Sequence, residues 1–168
     1  PGDVNMDGQI NVQDIIVLVN AVLGTYEPTP EQFEVSDLNN DGELNILDIV
    51  DLVNMILGGR VDNATKTELL DTGKKLQIKA DGYVGAVKMV FEHNEDFIFE
   101  LTDNALVANY NSRGNTTTLI VVAPETDELF SYSGSFEIVE VKVANSFEFI
   151  PVTLPVRTEL TSAYPNPF

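Results

Sequence analysis

Polar residues are sparse in two stretches of the chain. Between 12 and 23 only Gln13, Asp14 and Asn20 are polar, and between 46 and 57 only Asp48, Asp51 and Asn54 are. Runs of this length, closed by Gly24 and Gly58, predict two three-turn helices. Their apolar residues exceed the stripe of roughly 100° that a helix needs to pack one face on a core. Two such helices cannot cover both sides of each other, so the pattern predicts a second contact surface, on a partner or on the rest of the chain. Val17, Val53, Ile56 and Leu47 are the side chains expected to be covered there.

After Gly58-Gly59 the pattern becomes strand-like. Residues 76–80, 87–91, 97–101, 116–122, 136–143 and 147–150 are short, β-branched or aromatic-rich segments. Turn phrases separate them: Asp81-Gly82, Asn94-Glu95-Asp96, Arg113-Gly114-Asn115 and Ser133-Gly134-Ser135. Short strands so punctuated predict an antiparallel β-sandwich. The fold class expected is therefore α+β and multidomain, with a small all-α unit at 1–61, a sandwich at 62–155 and a tail at 156–168.

The helical stretches belong to a repeat. Gly2-Asp3-Val4-Asn5-Met6-Asp7-Gly8-Gln9-Ile10-Asn11-Val12-Gln13-Asp14 recurs 34 residues later as Ser36-Asp37-Leu38-Asn39-Asn40-Asp41-Gly42-Glu43-Leu44-Asn45-Ile46-Leu47-Asp48. Oxygen-bearing side chains fall at loop positions 1, 3, 5, 9 and 12, with glycine at 6 and a backbone carbonyl due at 7, the ligand spacing of an EF-hand loop. A hard cation needs six or more oxygens at about 2.3–2.6 Å, and alternate positions of a tightly wound loop point inward together. Gly8 and Gly42 permit the sharp turn. Ile10 and Leu44 are expected to face the core, and Asp14 and Asp48, at position 12, suit the positive start of a helix. Isolated Asp-Asn-Gly clusters are ordinary turns; a whole ligand pattern occurring twice in register is not. Residues 31–36 read as too short for an entering helix, so the units are loop-helix pairs.

These residues resemble a type I dockerin, in which the phrase Asp-x-Asn-x-Asp-Gly-x-apolar-Asn-x-x-Asp precedes an apolar helix ending in Leu-Gly, all duplicated over residues 2–59. The resemblance implies two bound Ca²⁺ ions, held by Asp3, Asn5, Asp7, Gln9 through its carbonyl, Asn11 and Asp14, and by Asp37, Asn39, Asp41, Glu43, Asn45 and Asp48. It also implies calcium-dependent attachment to a cohesin-like domain, in cis or in trans, as in extracellular polysaccharide-degrading complexes. Cohesin selection is commonly read at loop positions 10 and 11, here Val12-Gln13 and Ile46-Leu47, where cellulosomal type I dockerins often carry small hydroxylic residues. The segment Gly85-Ala86-Val87-Lys88-Met89-Val90-Phe91 resembles an early cohesin strand, which implies a cohesin-like sandwich. Tyr164-Pro165-Asn166-Pro167-Phe168 resembles the opening of a type IX secretion sorting domain, which implies export and a larger parent protein.

Composition narrows the functions further. A hydrophobic content of 43% is that of a folded chain. Twenty-seven acids against nine bases leave a formal charge of −18, which disfavours nucleic acid and anionic membranes as partners and favours cations. Acidity is densest in residues 1–61, with eleven acids and one base. No Cys is present, no apolar run reaches the roughly 18 residues of a membrane span, and no signal peptide is read. A secreted or cell-surface piece of a longer protein is expected. Catalysis finds little: His93 is the single histidine and reads as a solvated turn residue, so the chain is read as no enzyme. Alternatives are a rigid spacer in which the helices pack on the chain's own sandwich, or carbohydrate binding by Tyr83, Tyr110 or Tyr132, although Trp is absent.

Overall fold

A computed structural model describes residues 1–155, and the expected sorting-domain phrase lies outside them. Helices α1 (Val12–Leu23) and α3 (Ile46–Leu57) form where the repeat predicts them. Each begins with a capping box: the Asn11 and Asn45 side chains accept from Gln13 N and Leu47 N, while Asp14 and Asp48 accept from the backbone of the capping residue. Helix α1 ends at Gly24, whose φ of 86° suits glycine. A further helix, α2 (Pro30–Ser36), lies in the segment read as too short. Thr29 caps it, Pro30 starts it, and Gln32 completes a capping box. The same Gln32 is buried and donates from Nε2 to the Val4 carbonyl at 3.1 Å, so α2 ties down the start of the first loop.

Ten strands follow among the described residues: β1 (Thr67–Asp71), β2 (Lys75–Ala80), β3 (Ala86–His93), β4 (Ile98–Leu101), β5 (Ala105–Arg113), β6 (Thr116–Pro124), β7 (Glu128–Ser133), β8 (Phe136–Ala144), β9 (Phe149–Ile150) and β10 (Val152–Thr153). They form two five-stranded sheets, ordered β10-β1-β2-β7-β4 and β5-β6-β3-β8-β9. Pairing is antiparallel as expected, except that β1 and β10 run parallel. The exception arises because the chain changes sheets at Pro151, whose carbonyl accepts from Thr67 N at 2.9 Å and Thr67 Oγ1 at 3.0 Å. The inner faces meet in a core of Leu69, Leu76, Val87, Met89, Leu119, Val121 and Leu129, filled at its centre by Phe91. Phe97, Phe99, Phe130 and Phe136 surround that ring at centroid distances of 5.4–5.7 Å.

The second sheet is apolar on its inner face and over part of its outer face. Residues Leu119, Ile120, Val121 and Val122 are consecutive and all fully buried, so β6 lacks the alternation of a half-solvated strand. Ile120 and Val122, with Ala86 and Ala144, face away from the sandwich core and join a second apolar layer with Ile15, Leu18, Val19, Ile49, Val50, Leu52 and Val53 of α1 and α3. Val17, Leu47 and Ile56 pack against that layer half-buried, and Val53 is buried within it. The surface covering the surplus apolar residues of the helices is thus this sheet. At its rim Gly85 lets α3 approach: a Cβ there would lie 2.7 Å from Val50 Cγ1 and 2.6 Å from the Asn145 carbonyl oxygen.

The connection from α3 to β1 is fastened rather than free. Ala64 N donates to the Tyr83 carbonyl, Tyr83 N donates to the Asp62 carbonyl, and Ser146 N donates to Asn63 Oδ1. Buried Asn145 donates to the Ala64 carbonyl at 2.9 Å.

Truncating Ile120→Ala removes side-chain volume from the helix-facing layer without touching the sandwich core, and is expected to destabilise the chain by about 3 kcal/mol. In urea unfolding the loss should appear at one shifted midpoint in both helix circular dichroism and tyrosine fluorescence. A shift in only one of the two signals would mean that the layer is not shared.

Candidate metal centre

Each loop is wound by its own acidic side chains. In the first, Asp3 accepts from Asp7 N at 3.1 Å and Gly8 N at 2.8 Å, Asn5 Oδ1 accepts from Asp7 N at 3.2 Å, and Asp7 Oδ1 accepts from Gln9 N at 2.9 Å. Asp14, fully buried on the first turn of α1, accepts from Asn5 N at 3.0 Å and Asn11 N at 2.9 Å and so pulls the loop shut. The second loop repeats this. Asp37 accepts from Asp41 N and Gly42 N, Asn39 from Asp41 N, Asp41 from Glu43 N, and buried Asp48 from Leu38 N and Asn45 N at 2.9 and 3.1 Å. Gly8 and Gly42 take φ of 91° and 85°, as the sharp turn requires. Met6 and Asn40, two residues earlier, are also left-handed, at 62° and 56°. Asn40 at that position is a readable signal and Met6 is not.

The winding gathers carboxylates. One oxygen each of Asp3, Asp7 and Asp14 lie within 4.8 Å of one another, and so do those of Asp37, Asp41 and Asp48. Asn5 and Asn39 sit in the same loops with their amide oxygens turned to the backbone. Asn11 and Asn45 have theirs engaged as helix caps. Gln9 and Glu43 carry the carbonyl at position 7; the Gln9 side chain accepts from Asn11 Nδ2 at 3.5 Å. Among the expectations for these loops, Ile10 fails: it is 42% exposed, whereas Leu44 packs half-buried on the helical core. Ile10 does not reach that core.

The donor set suits a hard cation: it is oxygen only, mostly anionic, and concentrated. Burial, with a further contribution from the charges of Asp37 and Asp41, pushes the Asp48 carboxyl up to about 6 against the lowering effect of its backbone hydrogen bonds. A divalent ion in the loop would remove that repulsion.

Sequence reasoning missed the polar residues that join the helices to the sheet. Asn109 Nδ2 donates to Asn20 Oδ1 at 2.9 Å, Asn111 Nδ2 to the Leu23 carbonyl at 3.0 Å and Arg113 Nη2 to the Gly24 carbonyl at 3.3 Å. Asn54, the repeat mate of Asn20, donates to the Ser146 carbonyl at 2.7 Å. Their signal was the Asn-rich β5, since asparagine is disfavoured in strands. His93 is also not the solvated turn residue expected. It ends β3 half-buried, its ring stacked 4.9 Å from Phe97 and its Nε2 2.8 Å from Thr117 Oγ1.

Residues 1–57 match the family model described as the dockerin type I domain. Dockerin domains bind calcium and act as calcium-dependent protein–protein modules. No curated protein matches the chain. Among solved structures, a non-cellulosomal cohesin from the hyperthermophilic archaeon Archaeoglobus fulgidus is similar, at 8% identity and a TM-score of 0.35, over 56% of this chain and 87% of that one. That likeness is too distant to place the sandwich in a family.

The different work of positions 5 and 9 gives an expected ranking. Asp41→Ala removes a clustered carboxylate and should abolish one binding event in calcium calorimetry. Asn45→Ala removes mainly a helix cap, costing about 1 kcal/mol of stability with a small loss of calcium affinity. Equal losses of affinity would contradict the ranking.

Proposed function

We propose that the chain is a non-catalytic, calcium-locked module in which a dockerin-type unit, residues 1–61, takes as its partner the sandwich of the same chain, residues 62–155. Each loop holds one Ca²⁺, through Asp3, Asn5, Asp7, Asp14 and the Gln9 carbonyl with Asn11 at the margin, and through Asp37, Asn39, Asp41, Asp48 and the Glu43 carbonyl with Asn45 likewise. The ion supplies charge neutralisation that lets the acidic side chains crowd together. The chain's own residues do the rest: Asp14 and Asp48 join loop to helix, and the helices present their surplus apolar face. The observation that carries the reading is the continuous buried layer from Ile15, Leu18, Val50 and Val53 to Ala86, Ile120, Val122 and Ala144. An unattached dockerin would leave that layer in water.

The sandwich would take the role of an external cohesin, and the module would serve as a stiff element of an exported or cell-surface protein, with polysaccharide degradation as one setting and the tail phrase as the route of export. Filled loops suit a calcium-rich exterior. Attachment to an external cohesin is the second reading, and Val12, Gln13 and Ile16, exposed on α1, are the surface left for it. Carbohydrate binding has less support. Tyr83 lies 4.3 Å beneath the Arg60 guanidinium, Tyr132 is held in the aromatic cluster, and Tyr110 turns its ring onto Phe99.

Excess chelator should lower the helix signal of the full chain and, over the same range of free calcium, raise the fluorescence of an apolar-surface dye as the sheet face is uncovered. Unchanged helicity would remove the role of calcium, and helix loss without dye binding would remove the docking in cis.

A further inference from the structure

The two loops are alike in sequence and unlike in setting. Positions 34 residues apart differ in what covers them: Ile46 is 1% exposed and its mate Val12 36%, and Val50 is 1% exposed and its mate Ile16 39%. The order reverses at the other end, where Leu23 is 6% exposed and Leu57 63%. Helix α3 therefore meets the sheet by its first turns, which continue directly from the second loop. Helix α1 leaves its start exposed at Val12 and Ile16 and is tied to the sheet at its last turn, where Asn111 and Arg113 reach the carbonyls of Leu23 and Gly24. Twelve residues of helix place that end about 18 Å from the first loop.

The second loop also borders the sheet itself. Asp41, Glu43 and Asn45 share a groove with Lys88, Glu140, Lys142 and Phe149. Loop and docked surface are mechanically one piece, because Asp48 accepts from Leu38 N and Asn45 N within the loop while sitting on the turn that carries Ile46, Leu47 and Val50 toward the sheet.

We infer that calcium binding at the second loop is coupled to docking of the helices on the sheet, whereas calcium binding at the first loop is not. The inference rests on the reading of both loops as calcium sites. Winding the second loop around an ion brings Asp37, Asp41 and Asp48 together and sets the first turn of α3 in the geometry that fits Gly85. Losing the ion lets three like charges separate and loosens that turn. Winding the first loop sets Val12 and Ile16, which are exposed, and of that first turn only Ile15 joins the shared layer, so the sheet gains little from it. Linkage makes the effect reciprocal: docking tightens the second loop's hold on calcium by the factor by which calcium tightens docking.

Calcium calorimetry on the full chain tests this in two backgrounds, Asp7→Ala, which leaves the second loop, and Asp41→Ala, which leaves the first. Adding Gly85→Val, which obstructs Val50, should lower the affinity of the second loop about ten-fold and change that of the first by less than about two-fold. Asn54→Ala, which removes only the bond to the Ser146 carbonyl, should lower the second loop's affinity about three-fold and decides the matter if Gly85→Val fails to fold. Equal losses in both backgrounds, or none in either, overturn the coupling. Absence of calcium binding in both backgrounds before either addition would instead overturn the reading of the loops.

Discussion

An apolar layer shared between two helices and the outer face of a sheet is the interaction on which the rest of the structure depends. Either side alone would expose apolar surface to water. The helices carry more apolar surface than they can hide in each other, and β6 carries four successive buried residues where a half-solvated strand would alternate. Burying an aliphatic side chain contributes about 1.5–3 kcal/mol, so a layer containing Ile120, Val122, Val50 and Val53 outweighs a modest entropy of closure. Small residues set how close the two can come. Gly85, Ala86 and Ala144 lie where α3 crosses, and the hydrogen bonds of Asn63 and Asn145 hold the connecting segment against the sheet.

Electrostatics follow the same division. The helical unit is acidic, with eleven acids and one base in residues 1–61, and neither α1 nor α3 has a basic residue in its last turn. The sheet supplies what is missing: Arg113 reaches the carbonyl of Gly24 at the negative end of α1, and Lys88 and Lys142 line the groove beside the second loop. These partners complement charge across a surface. The concentrated charge inside each loop is of the kind that suits a hard cation.

Much of the helical unit was legible because its signals are local. A ligand pattern fixed by loop geometry and repeated in register leaves few alternatives, and glycine at a forced turn confirms the register. Helix α2 was missed because seven residues show no usable apolar period, although Thr29, Pro30 and Gln32 spell its start. In the sandwich, strands with β-branched alternation were readable, while β1, β5, β7 and β10 were not. Strand β5 was hidden because its asparagines bond to α1, Asn109 to the Asn20 side chain and Asn111 to the Leu23 carbonyl, so its pattern records a tertiary contact. For the same reason Ile10 was misplaced: its mate Leu44 has the helical core beside it, and Ile10 does not. A duplicated sequence predicted symmetry, and one asymmetric neighbour broke it.

Scanning calorimetry of the full chain in saturating calcium tests most directly whether helices and sandwich are one cooperative body. A shared layer predicts a single transition whose calorimetric and van't Hoff enthalpies agree. Two separable transitions, the helices melting while the sandwich stays folded at an unchanged midpoint, would contradict it.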